Sequence, residues 1–201
     1  MSAPLQIYLI RHGETAWSLS GQHTGRTELP LTRHGEEMAR RLAATLNGFD
    51  FRLVLTSPRL RARATCELAG LGAAAQTEPD LAEWDYGRFE GLRTAEIRDR
   101  HPGWDLWDDG CPGGEAPADV SRRADQLIAR IVDGTGRVAL FSHGQIGRVI
   151  AARWIGMAAN QGRHFALDPA SISVLALEFD QPARRVISLW NASASGSRLA
   201  S

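Results

Sequence analysis

The stretch Gln6-Ile7-Tyr8-Leu9-Ile10-Arg11-His12-Gly13 is a short apolar run that ends on a cation, an imidazole and a glycine, the pattern of a buried strand that empties into a loop. A polar, Gly-rich loop follows it. From about Glu36 to Leu46, Met38, Leu42 and Leu46 recur every four positions and Glu36/Arg40 and Glu37/Arg41 form surface pairs, so an amphipathic helix is expected. Leu53-Val54-Leu55 reads as a second buried strand, and Ser57-Pro58 as the N-cap and first-turn proline of a helix through about Leu68. Thr94 is expected to cap a short helix that Pro102 stops. Val120, Ala124, Leu127, Ile128 and Ile131 give helical spacing to Asp119 to Val132. Val138 to Phe141 is another buried strand, ending at Ser142-His143-Gly144 and leading into a helix from Gln145 to Ile155. Val174 to Phe179 and Arg185 to Trp190 read as an antiparallel pair joined by a short connection, Asp180 to Arg184. This alternation predicts the α/β class: a single-domain three-layer α/β/α sandwich whose sheet is mainly parallel, with an antiparallel strand near one edge. The domain is expected to span 1–191, with the small, polar residues 192–201 as a flexible tail.

Composition narrows the function. The 201 residues fit one domain with a real core. With 43% hydrophobic and 23% charged residues, and 23 basic side chains against 23 acidic ones, nothing favours nucleic acid or an anionic membrane as a partner. Met1 to Ile10 lacks a basic leader and no window approaches the roughly 18 apolar residues of a membrane span, so a cytoplasmic location is expected. Cys66 and Cys111 read as reduced thiols. Every basic residue is arginine and none is lysine. Walker A nucleotide hydrolysis, protein-kinase chemistry and lysine imines therefore fall away. The H-E-x-x-H, G-x-G-x-x-G and G-x-S-x-G patterns are absent, and neither cysteine has an arginine six positions later. Histidine and carboxylate chemistry is left.

His12 and His143 each follow an apolar strand, where open sheets of this kind bind ligands, and each is followed by a glycine. Arg33-His34-Gly35 repeats the letters of Arg11-His12-Gly13 but precedes a helix, so His34 is read as a surface residue. His23, His101 and His164 read as solvated or locally bonded. Arg11, beside His12, and Arg61, after the second strand, offer planar guanidinium forks suited to phosphate oxygens. Glu83, in Leu81-Ala82-Glu83-Trp84-Asp85-Tyr86-Gly87, has bulky aromatic neighbours whose desolvation would keep it protonated as a general acid.

These residues form a recognisable set. Ile10-Arg11-His12-Gly13-Glu14-Thr15, continued by Thr24-Gly25 and Leu29-Pro30-Leu31-Thr32, resembles the nucleophile signature of the histidine phosphatase superfamily, the phosphoglycerate-mutase-like group. Ser57-Pro58 with Arg61-Ala62 and Thr65 resembles its second-arginine motif, Glu83 with Tyr86-Gly87 and Glu90-Gly91 its acid motif, and Ser142-His143-Gly144 its second-histidine motif. The resemblance runs across nearly the whole chain. It implies that His12 attacks phosphorus to form a phosphohistidine while Glu83 protonates the departing alkoxide and later deprotonates water. Arg11, Arg61 and His143 would hold the phosphoryl oxygens. It implies no metal and no cofactor, a small-molecule phosphomonoester as the partner, and activity that leans to acid pH. Homo-oligomerisation stays open.

The group contains both phosphatases and mutases. Cofactor-dependent mutases typically carry a longer inserted segment with further lysine and arginine contacts, and this chain has neither a lysine nor a matching Arg-Arg-Ser segment. Asp85-Tyr86-Gly87, Trp107 and Gly110-Cys111-Pro112-Gly113-Gly114-Glu115 are similar to a phosphatase branch that includes sedoheptulose-bisphosphatase-like enzymes, and Ser18 stands where the mutases usually carry asparagine. Hydrolysis of small metabolites such as sugar phosphates is the expectation. A cofactor-dependent phosphoglycerate mutase and a weakly catalytic phosphate-binding module are the alternatives. On the same resemblance, Ser18, His23, Thr24, Gly144 and Glu115 join Arg11 and Arg61 as candidate substrate contacts.

Overall fold

Alternating burial builds the sheet. In the computed structural model, which describes residues 4–178 and 184–193, β1 (Gln6–Arg11) sends Ile7 and Leu9 into one core and Tyr8 and Ile10 into another on the opposite face. A strand covered on both faces has no exposed side, so its sequence is apolar without interruption. The other strands are β2 (Phe51–Thr56), β3 (Ala75–Thr77), β4 (Arg137–Ser142), β5 (Ser171–Leu177) and β6 (Arg185–Ser193), in the sheet order β3-β2-β4-β1-β5-β6. β4 pairs in parallel with both β1 and β2, and β2 with β3; β5 runs antiparallel to β1 and β6. The sheet is thus mainly parallel, with its one reversed strand next to an edge, as the sequence leads one to expect.

Seven α-helices accompany it: α1 (Ala16–Ser20), α2 (Arg33–Leu46), α3 (Leu60–Leu68), α4 (Thr94–Arg100), α5 (Leu106–Asp109), α6 (Pro117–Ile131) and α7 (Gly144–Trp154), counted among the described residues. Leu42 and Leu46 of α2 and Cys66 of α3 pack with Tyr8, Ile10, Val54 and Phe141 on one face. Leu127 and Ile131 of α6 and Ile146, Ile150 and Trp154 of α7 pack with Ile7, Leu9, Val138 and Leu140 on the other. Each fully buried aliphatic side chain contributes about 1.5–3 kcal/mol over its exposed state, so both layers matter for stability.

The boundaries differ from expectation where side chains, not periodicity, set them. α2 starts at Arg33 because the Thr32 hydroxyl accepts the Gly35 N–H at 2.9 Å. α3 starts at Leu60 with Arg59 at its N-cap, two residues beyond the expected Ser57-Pro58 start; the Ser57 Oγ accepts the Arg59 N–H at 3.3 Å ahead of the helix and lies 2.7 Å from His143 Nε2. Arg93 is the N-cap of α4, so Thr94 is its first helical residue rather than its cap. α6 begins with Pro117 in its first turn. β6 runs to Ser193, which places Ala192 and Ser193 in the sheet and not in the tail. Residues 194–201 of the expected tail, and the expected connection apart from Arg184, lie outside the described residues.

Candidate active site

The two strand-end histidines are placed by strand register. In the parallel β1/β4 ladder Arg11 stands opposite Ser142, so the next residues, His12 and His143, leave the sheet side by side. Their ring centroids are 5.2 Å apart. On the far side of β4 the ladder continues with the Ser57 N–H on the Phe141 carbonyl, and the Ser57 Oγ lies 2.7 Å from His143 Nε2.

His12 Nδ1 lies 2.7 Å from the Gly13 carbonyl oxygen. A carbonyl can only accept, so Nδ1 carries the hydrogen and Nε2 keeps its lone pair. Burial above all, and then the Arg61 and Arg11 charges, hold the His12 pKa well below the ordinary imidazole value. His143, fully buried, is pushed the same way by burial and then by Arg61. Both rings are neutral at physiological pH.

Arg61 projects from the first turn of α3 and is fully buried. Its terminal nitrogens donate to the carbonyls of Thr24 at 2.9 Å, Gly25 at 3.2 Å and Thr27 at 3.2 Å. Arg11 donates to the Leu167 carbonyl. Burial lowers the pKa of both guanidinium groups, yet arginine stays charged in proteins. Arg11 Nε, Arg61 Nε and His143 Nδ1 are buried and have no hydrogen-bond partner among the described residues. Buried guanidinium donors left unpaired are costly, so this cluster is suited to an anion.

Glu83 meets α7 end-on. Its Oε2 accepts the Gln145 N–H at 2.9 Å, and its Oε1 accepts the N–H groups of Ile146 and Trp84, each at 2.9 Å. The N-terminal N–H groups of α7, which lack intrahelical partners, are thereby capped by a carboxylate from another segment. Beside the aromatic neighbours read from the sequence, the carboxylate thus has three backbone donors, and the buried Trp84 indole N–H donates to the Glu115 carbonyl at 3.0 Å.

A cavity of about 260 Å³ opens over the pair. Of the residues singled out in the sequence, His12, Arg11, Ser18, His23, Thr24, Glu83 and Gly144 line it, while Arg61 and His143 lie fully buried beside it. Burial holds His23 down at about 4, and its ring stacks on Tyr86 with centroids 4.6 Å apart. Glu115 does not line the cavity. Its carboxylate is taken by Arg123 and by the Asp85 N–H, so its expected substrate contact is replaced by a bond within the protein.

Gln22, Gln145 and Arg148 line the cavity without having been singled out in the sequence. Arg148 had a signal: it lies four residues after Gly144, one turn along the same face of α7. Its guanidinium donates to the Phe165 carbonyl and, at 2.8 Å, to Gln145 Oε1. The segment 165–170 thus straps the site. Its successive carbonyls at Phe165, Ala166 and Leu167 hold Arg148, the Trp190 indole of β6 and Arg11, and the Ala170 N–H donates to the His12 carbonyl at 3.0 Å. Asn191 of β6 pins the strap through the Asp168 N–H at 2.7 Å and the Asp168 carboxylate at 2.9 Å.

His34 is exposed, as expected, but its neighbour Gly35 is buried under the loop after β1. A Cβ on Gly13 would stand 2.5 Å from the Gly35 carbonyl oxygen. Among the described residues no helix is long and apolar enough to cross a membrane.

Residues 7–192 match the model of the histidine phosphatase superfamily, branch 1. An acid phosphatase of Mycobacterium tuberculosis is 44% identical over 178 residues, covering 86% of this chain and 87% of that protein. Sedoheptulose 1,7-bisphosphatase of Saccharomyces cerevisiae is 36% identical over 181 residues, covering 74% and 67%. The solved structure of an open reading frame product of M. tuberculosis superposes with a TM-score of 0.87 at 39% identity, covering 94% of this chain and 98% of that one. The strand-end histidines, the buried arginines and a match that runs from β1 into β6 lead to one assignment: the chain belongs to branch 1 of the histidine phosphatase superfamily and is a phosphatase by family.

Proposed function

We propose that the protein is a metal-independent phosphomonoesterase that hydrolyses small phosphorylated metabolites, sugar phosphates among them, through a phosphohistidine on His12. The observation that carries this reading is the His12 ring, pinned by its Nδ1–H to the Gly13 carbonyl so that Nε2 keeps its lone pair. Around it stand three buried, unpartnered nitrogens on Arg11, Arg61 and His143. Nε2 attacks phosphorus in line, the bond to the ester oxygen breaks, and Glu83 delivers a proton to the departing alkoxide. Water then attacks the phosphohistidine, Glu83 takes its proton, and inorganic phosphate leaves with His12 restored. The two guanidinium groups neutralise charge on the phosphoryl oxygens. With the Ser57 hydroxyl donating to His143 Nε2, His143 Nδ1 carries a hydrogen and adds a third donor.

The substrate class follows from the walls. Ser18, Gln22, His23, Thr94, Gln145 and Arg148 present hydroxyl, amide, imidazole and guanidinium groups to the cavity, a lining suited to a polar, hydroxyl-rich metabolite. The relative named for a sugar bisphosphate supports the same class. Thr24 serves the reaction through its backbone carbonyl, which holds Arg61. The test is phosphate release from an aryl phosphate and a panel of sugar phosphates, with chelator present, for wild type and His12→Ala. Release by wild type and its loss in the variant are expected. Absence of release from every compound would favour a mutase or a phosphate-binding module.

A further inference from the structure

We propose that Arg123, on α6, is a positioning residue for proton transfer, acting through Glu83 and never touching substrate. Its guanidinium has five N–H donors, and the structure finds five acceptors for them. Nε and one terminal nitrogen hold the two Glu115 carboxylate oxygens at 2.7 and 2.9 Å. The other terminal nitrogen donates to the carbonyls of Asp80 at 2.8 Å and Ala82 at 2.7 Å, and the first reaches the Glu83 carbonyl at 3.3 Å. Three of the four backbone carbonyls from Asp80 to Glu83 therefore end on one side chain, which is only 13% exposed. Glu115 closes the grip from the other side, its carboxylate accepting the Asp85 N–H at 2.9 Å and its own N–H donating to the Asp85 carbonyl at 2.9 Å. The backbone that carries Glu83 is thus held before and after that residue by one planar, bidentate ion pair. With every donor in use, Arg123 has none to offer a phosphate, and it is not among the residues that line the cavity. A lysine could not replace it, since a single ammonium cannot span a carboxylate and three carbonyls.

The consequence is a dependence on the leaving group. A displaced Glu83 backbone carries the carboxyl away from the ester oxygen, and a misplacement of about 1 Å can cost on the order of 100-fold. The loss appears only where the leaving group needs the proton. This inference rests on Glu83 as the general acid, so the experiment separates the two. Wild type, Glu83→Gln, Arg123→Lys, Glu115→Gln and the double variant Glu83→Gln/Arg123→Lys are compared by kcat/KM on a nitroaryl phosphate and on an alkyl phosphate, with thermal melts of each. Glu83→Gln is expected to lose roughly 100-fold or more on the alkyl ester and far less on the aryl ester. Equal losses there would sink the general-acid reading, and the positioning role with it. Given the expected Glu83→Gln result, Arg123→Lys should lose at least about 10-fold on the alkyl ester while staying within about 2-fold on the aryl ester, with no further alkyl loss in the double variant. Glu115→Gln, which keeps the shape of the pair and weakens it, should lose in the same direction by less. Equal losses of Arg123→Lys on both esters, or additive losses in the double variant, would overturn the positioning role and leave Glu83 as the acid. If Arg123→Lys fails to fold, Glu115→Gln decides: equal losses on both esters, or none, overturn the proposal.

Discussion

His12 shows how much one hydrogen bond determines. The Gly13 carbonyl, 2.7 Å from Nδ1, selects the tautomer that leaves Nε2 basic. That residue-level choice was not legible in the sequence, because any residue at position 13 would bring a carbonyl. What was legible is the glycine. Gly13 faces Gly35 backbone to backbone, and a Cβ at Gly13 would stand 2.5 Å from the Gly35 oxygen. Neither partner is a flexible side-chain end, so one backbone must move. Gly13→Ala should therefore destabilise the protein by about 1–3 kcal/mol, the usual cost of overpacking, and lower kcat because the shifted backbone carries His12. Denaturant unfolding with parallel assays checks this; unchanged stability would mean that the loops separate freely. The same pair explains the repeated letters Arg33-His34-Gly35, where the glycine is structural and the histidine faces solvent.

At the scale of elements, the strands other than β3 were readable and the grips on their loops were not. Apolar runs ending in His12 and His143 announced two strand ends, and the register of β1 against β4 then makes those residues neighbours. Glu115 carries the right charge beside a glycine turn, yet its partner lies eight residues on, inside α6, and only the fold turns the pair toward the Glu83 segment. The donors around the Glu83 carboxylate are backbone N–H groups, which every residue but proline possesses, so no sequence pattern marks them. The edge strand carries a further prediction. β6 is mostly half-buried or exposed, and through Trp190 and Asn191 it holds the strap whose Leu167 carbonyl fixes Arg11. Weakly buried edges open at lower free energy than the core. Heating should abolish activity several degrees below the loss of far-UV circular dichroism, to an extent on the order of the 2–4 °C by which about 1 kcal/mol shifts such domains. Coincident transitions would show that the strap and the core melt as one.

At the scale of the whole molecule, burying neutral histidines makes stability a function of pH. Burial first, with the neighbouring arginines adding, holds His12 and His143 well below 6.5, and burial holds His23 at about 4. In the unfolded chain these rings titrate near 6.5. Between the folded and unfolded values the unfolded chain binds more protons, so this contribution to stability is fully present above about pH 6.5 and falls as the pH drops. Each ring contributes up to about 1.4 kcal/mol per pH unit in that window. Denaturation midpoints at pH 7.5, 6 and 5 should decline steadily, and His23→Gln should make the decline shallower. A flat profile would show that the rings accept protons without unfolding. The overall architecture was the most legible level, because five of the six strands and the main helices follow from apolar periodicity summed over many residues, where single errors at a cap average out; the edge strand β3, Ala75-Gln76-Thr77, is too short and polar to carry that signal.

The sheet register has one more consequence. His12 and His143 are separated by a backbone ladder, whereas Ser18 sits in α1, His23 in the loop beyond it and Thr94 at the start of α4. The two strand-end histidines are thus anchored to the framework, and the polar walls of the cavity stand on its periphery. On the proposed reading, substitutions of single wall residues should therefore shift substrate preference without recalibrating the distance between the two histidines.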